Sequence, residues 1–308
     1  MVRATVGRRL LVAGLLVFLA AVAFLFATGH VLIQRSEDYA SGQLWSFWLP
    51  VLLGLLLIRV APWRTPDGTA PADMLRGRRA RREVWALLGC VAAFFVGDLV
   101  LYGAYDLVDP QLRALAYHTS KVLFLLLLPI MLTGRSGVMG ASSQPDVLQR
   151  GTRVPWGWRW AGVLAVVGYV YIAVLIPWTT PAPSPGTLPN SYTLFARLAL
   201  ALVTAALLEE VFFRALLQTR LEYLLGRWPG IVVSAGVYAV ASLVGTDAYH
   251  SLVVDLAMAI AVQGTAGVLF GYLWTRYRNL WLNFLLHACV SVVAVMHPVI
   301  YNALVFGR

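Results

Sequence analysis

The sequence predicts an all-α fold, a polytopic bundle of about eight or nine transmembrane helices, and three observations carry that expectation. Of the 308 residues, 60% are hydrophobic and 12% charged, with a mean hydropathy of +0.75. Uncharged windows of 18 or more residues recur along the whole length, enough at the helical rise to cross a hydrocarbon layer about 30 Å thick. Arginines gather in alternate loops, as they do when one face of a membrane retains positive charge. Nothing remains for a sizeable soluble domain. The 24 basic and 14 acidic residues give +10, but the excess sits in short loops. It therefore reads as topology at an anionic surface, and no nucleic-acid partner is expected.

Nine apolar segments are expected to span, at 10–33, 44–62, 84–105, 113–133, 157–178, 193–219, 228–245, 252–275 and 280–304. The first follows Arg3, Arg8 and Arg9 like a signal peptide, yet its apolar run is too long for one and ends without a cleavage pattern, so it reads as a retained span. Arg64, Arg76, Arg78, Arg79, Arg81 and Arg82 follow the second span, and Arg135, Arg150 and Arg153 the fourth. Arg220 and Arg227 follow the sixth, and Arg276 and Arg278 the eighth. The intervening "TTPAPSPGTLPNSY" and "GTDAYH" carry no lysine or arginine. An N-terminus in the cytoplasm of a cell, with a bacterial cell membrane favoured by arginine-rich, lysine-poor loops, follows. Segments 64–83 and 134–155 read as flexible basic loops. Cys90 and Cys289 lie in apolar runs and read as packing residues. Pro129 and Pro298 are expected to kink their helices.

Against this background "ALLEEVFFRALLQTRLE", residues 206–222, is anomalous, because a long apolar run ends in two carboxylates. Glu210 and Arg214 are four apart on one helical face and can pair. Glu209 points about 100° away and is left free, on the order of 16 Å from the basic end at Arg220. An ionisable group at that depth needs a partner or a wet cavity, and it is a functional candidate by default; an amphipathic helix lying at the interface is the plainer alternative. His287, on the last span, lies roughly 13 Å from the same end. A carboxylate and an imidazole at matched depth suit hydrolysis, with the carboxylate activating water. Asp98 and Lys121, midway along the third and fourth spans, read as a buried ion pair that fixes helix register, with a substrate or ion path as the alternative. His30, His118, His250 and His297 read as residues of the membrane edges or the outer loop.

"EEVFFR", residues 209–214, resembles the EExxxR motif of the CAAX-protease and bacteriocin-processing family, the glutamate-type intramembrane proteases. "GVLFGYLWTRYRNLWLNFLLHACVS" resembles that family's last block, and together the similarity covers about residues 193–297. It divides the chain into helices with basic loops at 1–190 and a protease-like core at 191–308. The resemblance implies a membrane cavity in which Glu209 activates water, Glu210 and Arg214 support it, and His287 binds water or stabilises an oxyanion. Where the family has FxxxH, this chain has "YAVAS", with Tyr238 and Ser242. Where it has HxxxN, this chain has "HACVS", with His287 and Ser291. Ser291, Asn283, Ser242 and Tyr238 are therefore the candidates for polar support. No HExxH-type spacing occurs, so no cofactor is expected, while a divalent metal stays open.

The expected activity is an intramembrane endopeptidase hydrolysing a membrane-anchored peptide or protein tail in the bilayer. The alternative is a catalytically inactive family member acting as a membrane binding or immunity-type partner. A transporter is the third reading, and the sequence shows no paired repeats to support it.

Overall fold

The computed structural model describes residues 2–33, 42–61, 77–109, 113–133, 156–175, 191–244 and 251–292. Each of the nine expected segments contains a helix among them. These are α1 (Val2–Ala27), α2 (Leu44–Val60), α3 (Gly77–Val108), α4 (113–133), α5 (156–175), α6 (191–225), α7 (Arg227–Ala241), α8 (Leu252–Tyr277) and α9 (Leu280–Val292). The only strands in the described residues are β1 (Leu32–Ile33) and β2 (Gly42–Gln43), an antiparallel pair between α1 and α2. Four helices are long and apolar enough to cross a membrane, over Thr5–Ala27, Arg79–Val108, Leu115–Thr133 and Leu252–Tyr277. Shorter apolar helices cover Leu44–Val60, Gly157–Ala173 and Leu280–Val292. The protein is an integral membrane helical bundle.

Three apolar clusters hold it together. Phe94 and Leu87 of α3, Leu125 of α4, Phe212, Phe213 and Leu216 of α6 and Tyr238 of α7 form the first. The second joins α2, α5, α8 and α9 through Ile58, Val166, Leu269, Tyr277 and Leu286. Leu25 of α1, Leu44 of α2 and Ala257 and Ala261 of α8 form the third. Lipid offers no hydrophobic drive between helices, so close packing must supply the association, and small residues permit it. Gly97 of α3 is the sharpest case: a Cβ there would lie 1.9 Å from the Phe124 ring of α4. That approach sets α4 against the first cluster.

The basic end is tied by polar side chains. Residues 77–83, expected as loop, are the first turns of α3. Arg79 Nε donates to Glu83 Oε1 at 2.8 Å and Arg220 Nε to Glu83 Oε2 at 2.6 Å, so ion pairing extends the helix beyond its apolar run. On α6, Gln218 Nε2 donates to Glu222 Oε1, to the Gly271 carbonyl and to Thr275 Oγ1 at 2.7, 2.8 and 2.9 Å, linking α6 to α8. Gly226 turns α6 into α7 with φ +94° and ψ 170°, a conformation that only glycine adopts readily. Between α8 and α9 the turn uses Arg278, at φ +48°, whose Nη2 also donates to Glu222 Oε2.

Of the remaining expectations, Pro129 lies buried within α4, just after a stretch at 121–127 where the backbone bonds run i to i+5. Thr133 Oγ1 caps the Pro129 carbonyl at 2.7 Å. Cys90 and Cys289 are free thiols, as packing residues would be. Residues 134–155, His250, His297 and Pro298 lie outside the described residues.

Candidate active site

α6 presents the two carboxylates in different directions. Over 201–207 and 210–218 its turns widen to i to i+5 bonding, a departure from α geometry that recurs at functional sites. Glu210, fully buried, turns inward. Its Oε2 accepts from Arg214 Nε at 3.2 Å and from Asn283 Nδ2 at 3.1 Å, and its Oε1 meets His287 Nδ1 at 3.0 Å. One carboxylate thus gathers α6 and α9. The Arg214 guanidinium, also fully buried, lies over the Tyr238 ring at 4.9 Å and the Phe270 ring at 5.3 Å. The expected Glu210–Arg214 pair is present, and aromatic faces take up the cation's remaining surface.

An ionised carboxylate only accepts, so a neutral His287 bonded to Glu210 carries its proton on Nδ1 and presents Nε2 as an acceptor. Nε2 faces Glu209 Oε2 at 3.9 Å. That gap is too wide for a hydrogen bond and suits one water, which can donate one proton to each acceptor and keep its own lone pairs outward.

Glu209 opens on a cavity of about 440 Å³. His287, Tyr238, Ser242, Phe213, Thr204 and Gln263 also line it, and α3 and α4 contribute Phe94, Tyr117, His118, Lys121 and Leu125. Polar groups therefore enter this chamber from both halves of the chain.

The sequence expectations are corrected at several points. Glu209 is not left free, because Lys121 Nζ donates to its Oε1. Lys121 does not pair with Asp98. The α4 face that carries it turns towards α6, and Asp98 instead accepts from Ser120 Oγ at 2.9 Å. His118, expected to have only a structural role at a membrane edge, lines the cavity; one turn before Lys121, it meets Thr204 Oγ1 through Nδ1 at 3.0 Å. Asn283 supplies no donor to the cavity, since its amide serves Glu210 and, at 2.8 Å, the Phe270 carbonyl. Ser242 does line the cavity, but its hydroxyl donates to the Ala239 carbonyl at 2.7 Å. Ser291, one turn beyond His287, is half-buried and is not among the lining residues.

Among the described residues no group of three or more His, Cys, Asp or Glu side chains is placed to hold a metal ion. The ammonium of Lys121 occupies the Glu209 oxygen that a cation would otherwise contact.

Sequence reasoning passed over Lys121, His118, Tyr117, Thr204 and Gln263 as site residues. A signal existed for two of them: His118 and Lys121 are three apart, so an imidazole and an ammonium share one face of an otherwise apolar helix.

No curated protein and no solved structure matches the chain. Residues 191–293, about a third of the chain and the part that carries Glu209, Glu210, Arg214, Asn283 and His287, match the model of a family of membrane proteases, the Rce1-like family, described as type II CAAX prenyl endopeptidase Rce1-like.

Proposed function

We propose that this protein is an intramembrane endopeptidase that hydrolyses a membrane-anchored peptide or protein tail with a water activated by Glu209. The observation that carries the reading is the pair of acceptors, Glu209 Oε2 and His287 Nε2, facing each other at 3.9 Å on a 440 Å³ cavity. Water bridging them attacks the scissile carbonyl carbon as its proton passes to Glu209. Collapse of the tetrahedral intermediate breaks the C–N bond, and Glu209 returns the proton to the departing nitrogen. The second water proton stays on the new carboxyl group, so the products are a carboxylic acid and an amine, which ionise to carboxylate and ammonium. Glu210, held by Arg214 and Asn283, fixes the imidazole without touching substrate. No cofactor takes part in this scheme.

In this reading the core at 191–308 carries the reacting groups, and the helices of 1–190 close the chamber. The N-terminus lies on the cytoplasmic side of a bacterial cell membrane, where alternate loops keep their arginines. The bilayer and a lipid-anchored substrate are the partners. A second reading, an inactive membrane-binding or immunity-type relative, draws on Ser242, whose bound hydroxyl stands where the resemblance would place an imidazole.

The test is purified protein in liposomes with a fluorogenic peptide ending in a prenylated CAAX tail, and a second peptide carrying an N-terminal acyl anchor. Cleavage of either by wild type, with a loss of 100-fold or more in Glu209→Gln and His287→Ala, is expected. Binding of both peptides with no cleavage by wild type selects the inactive reading.

A further inference from the structure

The cavity contains a cation that the scheme above leaves without a task. Lys121 is 3% exposed, and it comes from α4, outside the family match at 191–293. Its ammonium donates to Glu209 Oε1 and lies 4.2 Å from the centre of the Tyr117 ring. An ammonium has three donors, and Glu209 takes one. In the resting pair the ammonium engages Oε1 of the carboxylate that the scheme uses as base.

The position of Lys121 points to a task. Nζ meets one oxygen of Glu209 while the other oxygen faces His287 and the attacking water. The ammonium therefore stands one carboxylate's width from the gap between Glu209 and His287, and all three residues line the same cavity. The competing donors near that gap are weaker or occupied. Ser242 and Thr204 donate to the carbonyls of Ala239 and Leu200 at 2.7 Å each, and the Asn283 amide is committed to Glu210 and Phe270. Tyr238 and Gln263 offer only neutral donors, which stabilise a developing charge less than a cation does.

We propose that Lys121 is a catalytic residue: on substrate entry its ammonium turns from Glu209 to the scissile carbonyl oxygen, which frees the carboxylate as base and stabilises the oxyanion. Lys121 keeps its proton throughout. The water proton goes to Glu209 and then to the leaving nitrogen, so atoms and charges balance. The resting ion pair becomes a guard that only a bound carbonyl releases. This inference rests on the protease reading and adds a residue to it.

The experiment uses the full chain in liposomes, the fluorogenic peptides above, and a phosphinic peptide that mimics the tetrahedral intermediate. Lys121→Met is expected to lower kcat by about 100-fold with KM changed less than threefold. It is also expected to weaken the phosphinic peptide by a similar factor while leaving the uncleaved peptide's affinity unchanged. Lys121→Arg, which keeps the charge, should recover part of kcat. Because K121M leaves a buried carboxylate unpaired, E209Q and the E209Q/K121M double variant repeat the phosphinic-peptide comparison with that charge removed. Equal cleavage by K121M and wild type, or equal phosphinic-peptide affinity in E209Q and the double variant, overturns the role of Lys121 and leaves the protease reading standing. Wild type that neither cleaves the probes nor prefers the phosphinic peptide overturns both.

Discussion

Replacing Glu210 by Gln should show how much of the bundle hangs on one carboxylate. The change is isosteric, so packing is kept and only charge and hydrogen bonding alter. In the native protein Oε2 accepts two N–H groups and Oε1 one. A glutamine amide can be placed only with its NH₂ towards His287, because the other orientation sets two donors against a third. Arg214, with no exposed surface, then has no counter-charge. Removing one partner of a buried pair costs about 3–5 kcal/mol. With the usual unfolding entropy per residue, a chain of this length should lose about 5–8 °C in Tm. Thermal unfolding of detergent-solubilised protein measures it. E210Q/R214M, which removes the stranded cation, should regain most of the loss. E210Q should also be inactive while folded, since the imidazole must move its proton to Nε2 and can no longer accept from the water. An E210Q protein within about 1 °C of wild type, or a double variant no more stable than the single, would refute the assignment of Glu210 as the buried hub.

Gly97→Val should cost about 1–3 kcal/mol through the clash with Phe124, and Phe124→Ala in the same chain should relieve part of it; unfolding midpoints of the three proteins test the α3–α4 approach. Gly226→Ala places a Cβ at φ +94° and should destabilise the protein by about 1–3 kcal/mol without altering peptide affinity, which thermal unfolding and binding measured side by side would establish.

The helices were legible in the sequence because a run of apolar residues in lipid has one way to satisfy its backbone. The Glu210–Arg214 pair was legible for a related reason, since both partners lie on one helix and spacing alone brings them together. Lys121 shows where such reading stops. Its cost of burial announced a partner, which the sequence assigned to Asp98; the pairing with Glu209 depends on which face α4 turns to α6. Packing of Gly97 and Phe124 bears on that face, and neither residue says so in isolation. Asn283 was legible in part: it gives polar support, but to the Glu210 carboxylate and the Phe270 carbonyl and not to the cavity.

Arg278 holds an uncommon left-handed backbone with a side chain anchored on Glu222, a residue of the very helix that displays Glu209. The imidazole-bearing α9 thus departs from a pivot that α6 itself secures. Should lipid pressure or an arriving peptide tilt α6, acid and imidazole would travel as one body, and their separation would survive a movement that reshapes the chamber around them.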